Sequence, residues 1–105
     1  MKFENIKEIW IEAEEWCDGF SVDDENSDVI VMMVDGTRWV ASFFTIINAN
    51  KLMLKWYENE CERHFWASDM IIVPKFGRKE VECVIRKMID ENNFTSAFNL
   101  CIEED

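Results

Sequence analysis

Two charged residues lie in otherwise apolar segments, and they are the first candidates for chemistry. Asp69 interrupts the run from Phe65 to Val73, and Arg38 begins an equally apolar run. A carboxylate in the middle of a strand must be paired, hydrogen-bonded or turned toward solvent. The sequence therefore predicts that Asp69 forms a structural ion pair with Arg38, caps a neighbouring turn, or belongs to a ligand-binding site together with Arg38. With His64 added, the same residues could form an enzyme or small-ligand site against a sheet.

More specific catalytic and metal-binding patterns are incomplete. His64 and Ser68 would share one strand face about 13 Å apart, which is too far for a hydrogen bond, and there is no nucleophile-elbow motif. Cys61 and His64 have the spacing of two zinc ligands, but no second pair completes a site of four. An acidic loop resembling an EF-hand has Val29 where glycine is needed. The sequence thus predicts no catalytic residue, metal or cofactor, and a protein that is not an enzyme.

Acidic charge is concentrated near the N-terminus. The 105 residues contain 11 Lys and Arg against 22 Asp and Glu, a net charge of −11. Residues 1–28 have a net charge of −8, residues 29–57 of +2 and residues 58–105 of −5. Nucleic acids and anionic membranes are bound by clustered Lys and Arg, so both are excluded as partners. The charge indicates a basic protein partner.

Aromatic residues accompany these acids. The chain has five tryptophans, and two of them, Trp10 and Trp16, lie near glutamates within residues 1–28, which we call the acidic segment. Aromatic side chains bordered by charge are typical of protein interfaces, although each tryptophan could equally belong to a core. The predicted partner-binding residues are Glu12, Glu14, Glu15, Asp23, Asp24, Glu25, Asp28, Trp10 and Trp16.

The sequence also bears on compartment and domain count. The N-terminal residues contain no apolar secretory segment, and the longest uncharged stretch, residues 39–50, is too short to span a membrane. We therefore expect a cytoplasmic protein whose four cysteines are thiols, mostly buried. With 49% hydrophobic residues, residues 1–105 are expected to form a single domain. The oligomeric state stays open.

Local patterns predict the first half of the fold. Partial alternation over residues 9–16 predicts a strand, with a helix over residues 4–16 as the alternative. Asp35 and Gly36 separate two β-rich runs, which predicts a hairpin with a type I′ turn. Both arms are apolar on both faces, as in strands covered on each side.

The second half alternates between helix and strand. Residues 48–60 predict a helix capped by Asn48, residues 64–73 a strand, and Gly77 precedes a helix with a clear apolar stripe. Asn92 and Asn93 end that helix, and a short last helix over residues 94–102 is expected. Together these predict an α+β domain: an antiparallel sheet of about four strands, with a central hairpin and two to three helices mainly on one face.

Two of these segments, residues 35–45 and 65–73, resemble small acidic bacterial proteins. Those proteins are similar to immunity proteins of polymorphic toxin and contact-dependent inhibition systems, and the resemblance covers roughly residues 28–90. It implies a non-enzymatic cytosolic protein that binds and neutralises a cognate toxin domain, for which the charge suggests a basic protein such as a nuclease. The alternatives are the Asp69, Arg38 and His64 site and a homo-oligomer formed through the apolar hairpin.

Overall fold

A five-stranded sheet forms the centre of the protein, whose structure is a computed structural model. It describes residues 2–60 and 69–101, and for residues 56–60 the backbone alone. The strands are β1 (Ile6–Ile11), β2 (Asn26–Met33), β3 (Arg38–Thr45), β4 (Met70–Val73) and β5 (Asn99–Cys101). The helices are α1 (Ile46–Glu60), α2 (Arg78–Asp90) and α3 (Phe94–Ala97), with short 3-10 turns at Phe3–Asn5 and Glu12–Glu15. The predicted α+β class is confirmed.

The strands form a mixed sheet in which β3 is central. Strands β1, β2 and β3 are antiparallel neighbours in that order. The other edge of β3 is shared, because β4 pairs in parallel with residues 42–45 and β5 pairs antiparallel with residues 38–40. Parallel neighbours need a crossover connection, and α1 lies within the one between β3 and β4. The predicted antiparallel arrangement therefore holds for every described strand pair except β3 with β4.

The predicted hairpin between β2 and β3 is confirmed, but its turn type is wrong. The Gly36 N–H donates to the Met33 carbonyl at 3.0 Å, and the Met33 N–H donates to the Thr37 carbonyl at 2.9 Å. Only Gly36 has a positive φ, +90°, whereas a type I′ turn needs two such residues. This is the pattern of a three-residue loop with a glycine bulge. Asp35 stabilises it by accepting the Thr37 hydroxyl and N–H, which lowers the pKa of Asp35.

The first strand lies earlier in the chain than predicted, at residues 6–11 instead of 9–16, and the alternative long helix is wrong. β1 ends at Ile11, and a 3-10 turn over Glu12–Glu15 follows. The turn is held by a buried hydrogen bond in which the Ala13 N–H donates to the Ser27 hydroxyl at 2.9 Å. Side-chain capture of a backbone donor takes the chain out of the strand ladder at this point.

Helix α1 begins two residues before its predicted cap. Thr45 is the capping residue, since its hydroxyl accepts the Asn48 N–H at 3.2 Å. Asn48 lies inside the helix instead and bridges Asn26 and Asp24 through its side-chain amide. Of the strand predicted over residues 64–73, Met70–Val73 is observed, and the part from His64 to Ser68 lies outside the described residues.

The end of the chain differs most from its prediction. Helix α2 begins after Gly77 and ends before Asn92, as predicted, but the last predicted helix is wrong beyond Ala97. The Phe94 and Phe98 rings lie 4.4 Å apart, and both are buried in the core. With these two rings packed, residues 99–101 extend along the free half of the β3 edge as β5.

The core lies between one sheet face and helices α2 and α3. Alternating strand residues point into it, together with one stripe of α2 and the two phenylalanines around α3. Its buried members are Ile9, Ile11, Ala13, Val29, Val31, Met33, Ala41, Phe43, Ile71, Val73, Phe76, Val81, Ile85, Ile89, Phe94 and Phe98. Helix α1 instead lies beside Met70 and Ile72, on the opposite face of the sheet. The sheet therefore has helices on both faces, two of them on the core side.

Cysteine burial was predicted incorrectly for part of the chain. Cys17 and Cys83 are exposed free thiols and Cys101 is half-buried, while Cys61 lies outside the described residues. The reason is that Cys17 follows the 3-10 turn on the surface and Cys83 faces away from the apolar stripe of α2. Among the helices of residues 2–60 and 69–101, none combines the length and apolar character that a membrane crossing needs.

Candidate protein-binding surface

The predicted pair between Arg38 and Asp69 is not formed. Asp69 precedes Met70, whose partner in the sheet is Ser42, and the Asp69 carbonyl accepts the Ser42 N–H at 2.9 Å. Arg38 lies four residues before Ser42, about 13 Å along the strand. Arg38 is exposed and Asp69 half-buried, so neither is a buried charge. Asp69 interrupts the apolar run because it occupies a turn with a φ of +58°, a conformation that aspartate tolerates.

The described residues do not assemble the alternative enzyme site. His64, its third member, lies outside them, and within residues 2–60 and 69–101 no three possible metal ligands come together. An open groove of about 630 Å³ lies between the N-terminus and the end of α2, where the Arg86 guanidinium stacks 3.9 Å above the Phe3 ring. Neither Arg38 nor Asp69 lines that groove.

Several of the predicted partner-binding acids already have partners within the chain, and Glu14 is the most strongly held. Arg78 donates to both Glu14 carboxylate oxygens, from Nη2 at 2.6 Å and from Nε at 2.9 Å. The same Nη2 donates to the Ile9 carbonyl at 2.9 Å, and Nη1 reaches Glu82 at 3.3 Å. The Glu14 carboxylate raises the pKa of Arg78. Arg78 thus connects the 3-10 turn, strand β1 and helix α2.

Asp23 and Asp24 are paired with lysines from distant parts of the chain. The Lys75 ammonium donates to Asp23 at 2.7 Å, which raises the pKa of Lys75. Asp24 accepts hydrogen bonds from the Lys51 ammonium and the Asn48 amide, and these lower the pKa of Asp24. Both carboxylates therefore hold the loop before β2, which we call the acidic loop, against helix α1 and against Lys75.

Glu25 and Asp28 also have internal roles. The Glu25 carboxylate accepts the N–H groups of Ser21 and Asn26, at 3.1 and 3.2 Å. Asp28 accepts the Ser42 hydroxyl at 2.9 Å across the sheet. Of the seven predicted acids, five therefore make internal hydrogen bonds or ion pairs: Glu14, Asp23, Asp24, Glu25 and Asp28.

The two remaining acids, Glu12 and Glu15, are close in the chain to an exposed tryptophan. Within the described part of the chain, the carboxylates of Glu12 and Glu15 make no hydrogen bond or ion pair, and the same holds for exposed Asp18. Trp16 lies between Glu15 and Asp18 in the chain and is 37% exposed. We call these four residues the acidic tip. Trp10 does not belong to it, because it is half-buried in β1 opposite Ile30.

Arg78 and Glu14 provide a measurable test of how the acidic segment is held. In a double-mutant cycle with Arg78→Ala and Glu14→Ala, we expect a coupling energy of about 0.5–1 kcal/mol in the free energy of unfolding. This coupling energy is small because the two side chains are 42% and 32% exposed, and solvent screens the attraction between them. Urea unfolding of the four proteins measures it.

The matched control for this cycle is the Lys87 and Glu91 pair on α2. Its Nζ–Oε distance is 3.9 Å and both side chains are more exposed, so its coupling should be close to zero. Equal coupling in the two pairs would show that Arg78 has no special part in holding the acidic segment.

A second surface feature was not found from the sequence. Among the side chains of α1 that the structure describes, residues 46–55, four large apolar ones are exposed, and Ile72 of β4 beside the helix is 51% exposed. Between the helix and the strand runs a groove of about 260 Å³, lined by Ile46, Ala49, Asn50, Met53, Met70 and Ile72, which we call the α1–β4 groove. The sequence does contain a signal for this surface. The apolar pair Ile46 and Ile47 is followed seven residues later by the apolar pair Met53 and Leu54, which indicates an apolar stripe on the helix.

Comparisons with protein-family models, with curated proteins and with solved structures gave no match for this chain. The acidic tip and the α1–β4 groove are therefore the observations from which a function can be inferred.

Proposed function

We propose that this chain is a non-enzymatic binding module of the immunity-protein type, which binds a basic toxin domain in the cytoplasm and neutralises it. The observation that carries the proposal is the acidic tip. There, three acids with no internal cation among the described residues lie within four positions of the exposed Trp16 in the chain, and the net charge is −11. The assignment of the partner as a toxin rests on the resemblance of residues 35–45 and 65–73 to immunity proteins.

Charge and aromatic surface would contribute to different steps of binding. Uncompensated carboxylates attract a basic partner over distance, which raises the association rate in a salt-dependent way. Tryptophan is among the residues most often found to dominate interface energies, so Trp16 would mainly slow dissociation. Asp23 and Asp24 are each paired with a lysine and Glu14 with an arginine, so each of these pairs adds little net charge to the surface.

The first experiment identifies the partner. The tagged protein is used to capture binding proteins from its native lysate at low and at high salt. We expect a basic protein that is retained at low salt and lost at high salt, and whose toxic activity falls when the protein is added in equal amount. An acidic partner, or retention that salt does not change, would contradict the proposal.

The second experiment tests which acids matter. With the purified pair, Glu12→Gln, Glu15→Gln and Asp18→Asn together are expected to lower the association rate about tenfold at low salt and to weaken its salt dependence. Trp16→Ala should instead raise the dissociation rate about tenfold.

The matched control removes the same number of charges from internally bonded acids. Asp23→Asn, Asp24→Asn and Glu25→Gln together should lower the association rate by no more than about threefold, since these acids lie outside the acidic tip. Circular dichroism confirms that both triple variants fold. If the control variant slows association as much as the first, the acidic tip is not the binding surface.

A further inference from the structure

We infer that the α1–β4 groove is the docking site for a basic amphipathic helix of the partner protein, an inference that rests on the proposed function. The groove is apolar, open and about 260 Å³ in volume. That is smaller than the roughly 300–1,000 Å³ typical of small-molecule sites. A shallow apolar groove of this kind suits the anchoring side chains of a helix that lies along it.

The first argument is the exposure of the groove walls. Ile46 and Met53 of α1 are 57% and 38% exposed, and Ile72 of β4 is 51% exposed. Ile47 and Leu54 continue the same apolar surface around the helix, at 49% and 51%. Single exposed apolar residues are ordinary, but a contiguous group marks an interaction site. The outward face of α1 thus has the character of a helix that packs against another element.

The second argument is the negative charge on the sheet face next to Met70, which lines the groove. Asp28, Ser42 and Met70 are neighbours across three adjacent strands on one sheet face, and Asp69 directly precedes Met70. The Asp28 carboxylate is bonded to the Ser42 hydroxyl and has no cationic partner among the described residues. The Asp69 carboxylate makes no hydrogen bond or ion pair with any residue that the structure describes. A helix with Lys or Arg beside its apolar residues complements this charge.

The net charge argues against a second copy of this chain as the occupant. A symmetric contact through the groove would bring together two molecules that each have a net charge of −11. Asp24, near the start of α1, is already neutralised by Lys51. The surface therefore combines an apolar groove with nearby carboxylates, and a basic amphipathic helix would match both.

A synthetic peptide tests this inference on the intact protein. The probe is a fluorescein-labelled 14-residue peptide of leucine and lysine, patterned as an amphipathic helix, and its binding is followed by fluorescence anisotropy. One control peptide has glutamate in place of every lysine, and another has serine in place of every leucine. We expect the Leu–Lys peptide to bind at least tenfold more tightly than either control.

Variants of the protein then locate the bound peptide. Met53→Gln and Ile72→Gln should each weaken binding about tenfold, and Asp28→Asn with Asp69→Asn about threefold. Val34→Gln is the matched control, because Val34 is 66% exposed on the β2–β3 loop, and it should leave affinity unchanged. Backbone amide NMR shifts should change in α1 and β4 for every variant that still binds.

Several results would overturn the inference. These are equal binding of the glutamate peptide, no binding of the Leu–Lys peptide, or an equal loss in Val34→Gln. Binding that is lost only when the acidic tip is neutralised would also overturn it, while leaving the proposed function intact. Sedimentation that shows a dimer dispersed by Met53→Gln would make a second copy the occupant. Peptide binding in the groove without any basic partner from the lysate would support the groove and contradict the proposed function.

Discussion

Replacing Phe43 with alanine is expected to lower the free energy of unfolding by about 3–5 kcal/mol. Phe43 lies in the central strand β3, its side chain is 0% exposed, and its ring packs edge-on against Phe98 at 6.3 Å. Removing the ring deletes buried apolar surface and leaves a cavity between the sheet and α3 that backbone elements on both sides keep open. Small domains have only about 5–15 kcal/mol of stability, so the variant should be close to unfolding.

Urea unfolding followed by tryptophan fluorescence and circular dichroism measures this loss. The matched control is Leu54→Ala in α1, where the side chain is 51% exposed and should contribute less than about 0.5 kcal/mol. The same control separates stability from binding, since Leu54 belongs to the exposed apolar face of α1. Equal destabilisation by the two substitutions would mean that the core is not centred on β3.

Thr45→Val is expected to lower the free energy of unfolding by about 2–3 kcal/mol. The side chain is 0% exposed, and its hydroxyl accepts N–H groups from Glu25 at 3.1 Å and from Asn48 at 3.2 Å. Valine has nearly the same shape but no acceptor, so the substitution removes the cap of α1 and leaves two amide hydrogens without their partner. The Thr45 N–H also donates to the Glu25 carbonyl at 2.9 Å, so this residue holds the acidic loop to the sheet.

Thr45→Ser keeps the hydroxyl and loses only a methyl group, so it should cost about 1 kcal/mol. Amide hydrogen exchange provides a second measurement, because the Glu25 and Asn48 amides should exchange faster in the valine variant than in the serine variant. If the Thr45→Val variant is as stable as the Thr45→Ser variant, the hydroxyl is not the capping group, and other contacts hold the start of α1.

Elements with a strong local pattern could be predicted from the sequence. Helix α2 has an apolar stripe with Gly77 before it and Asn92 after it, and the β2–β3 hairpin has two β-rich runs around Asp35 and Gly36. In both cases the information lies within about 20 neighbouring residues. The turn type was still wrong, because a three-residue loop and a type I′ turn share the same Asp-Gly signal.

Elements defined by a distant partner could not be predicted in this way. Residues 99–101 contain no strand pattern, and they become β5 because residues 38–40 leave an open edge and Phe98 is buried beside it. The separation of Arg38 from Asp69 likewise follows from the register of β3 against β4, which places Asp69 near Ser42, about 13 Å along the strand from Arg38. The presence of one charged residue in each of two apolar runs therefore did not mean that the two side chains contact each other.

The candidate site likewise combines features that local sequence determines with features that depend on distant residues. The sequence by itself determined the α+β class, the position of α2 and the hairpin, and an acidic N-terminal segment that contains Trp16, because each depends on residue type and short-range spacing. Only the tertiary structure decided which acids are available. Lys75 and Arg78 fold back onto Asp23 and Glu14 from more than 50 residues away and neutralise them, while Glu12 and Glu15 stay without a cation in the described chain. Charge is a property of composition, but its availability depends on which side chains the fold brings within hydrogen-bonding distance.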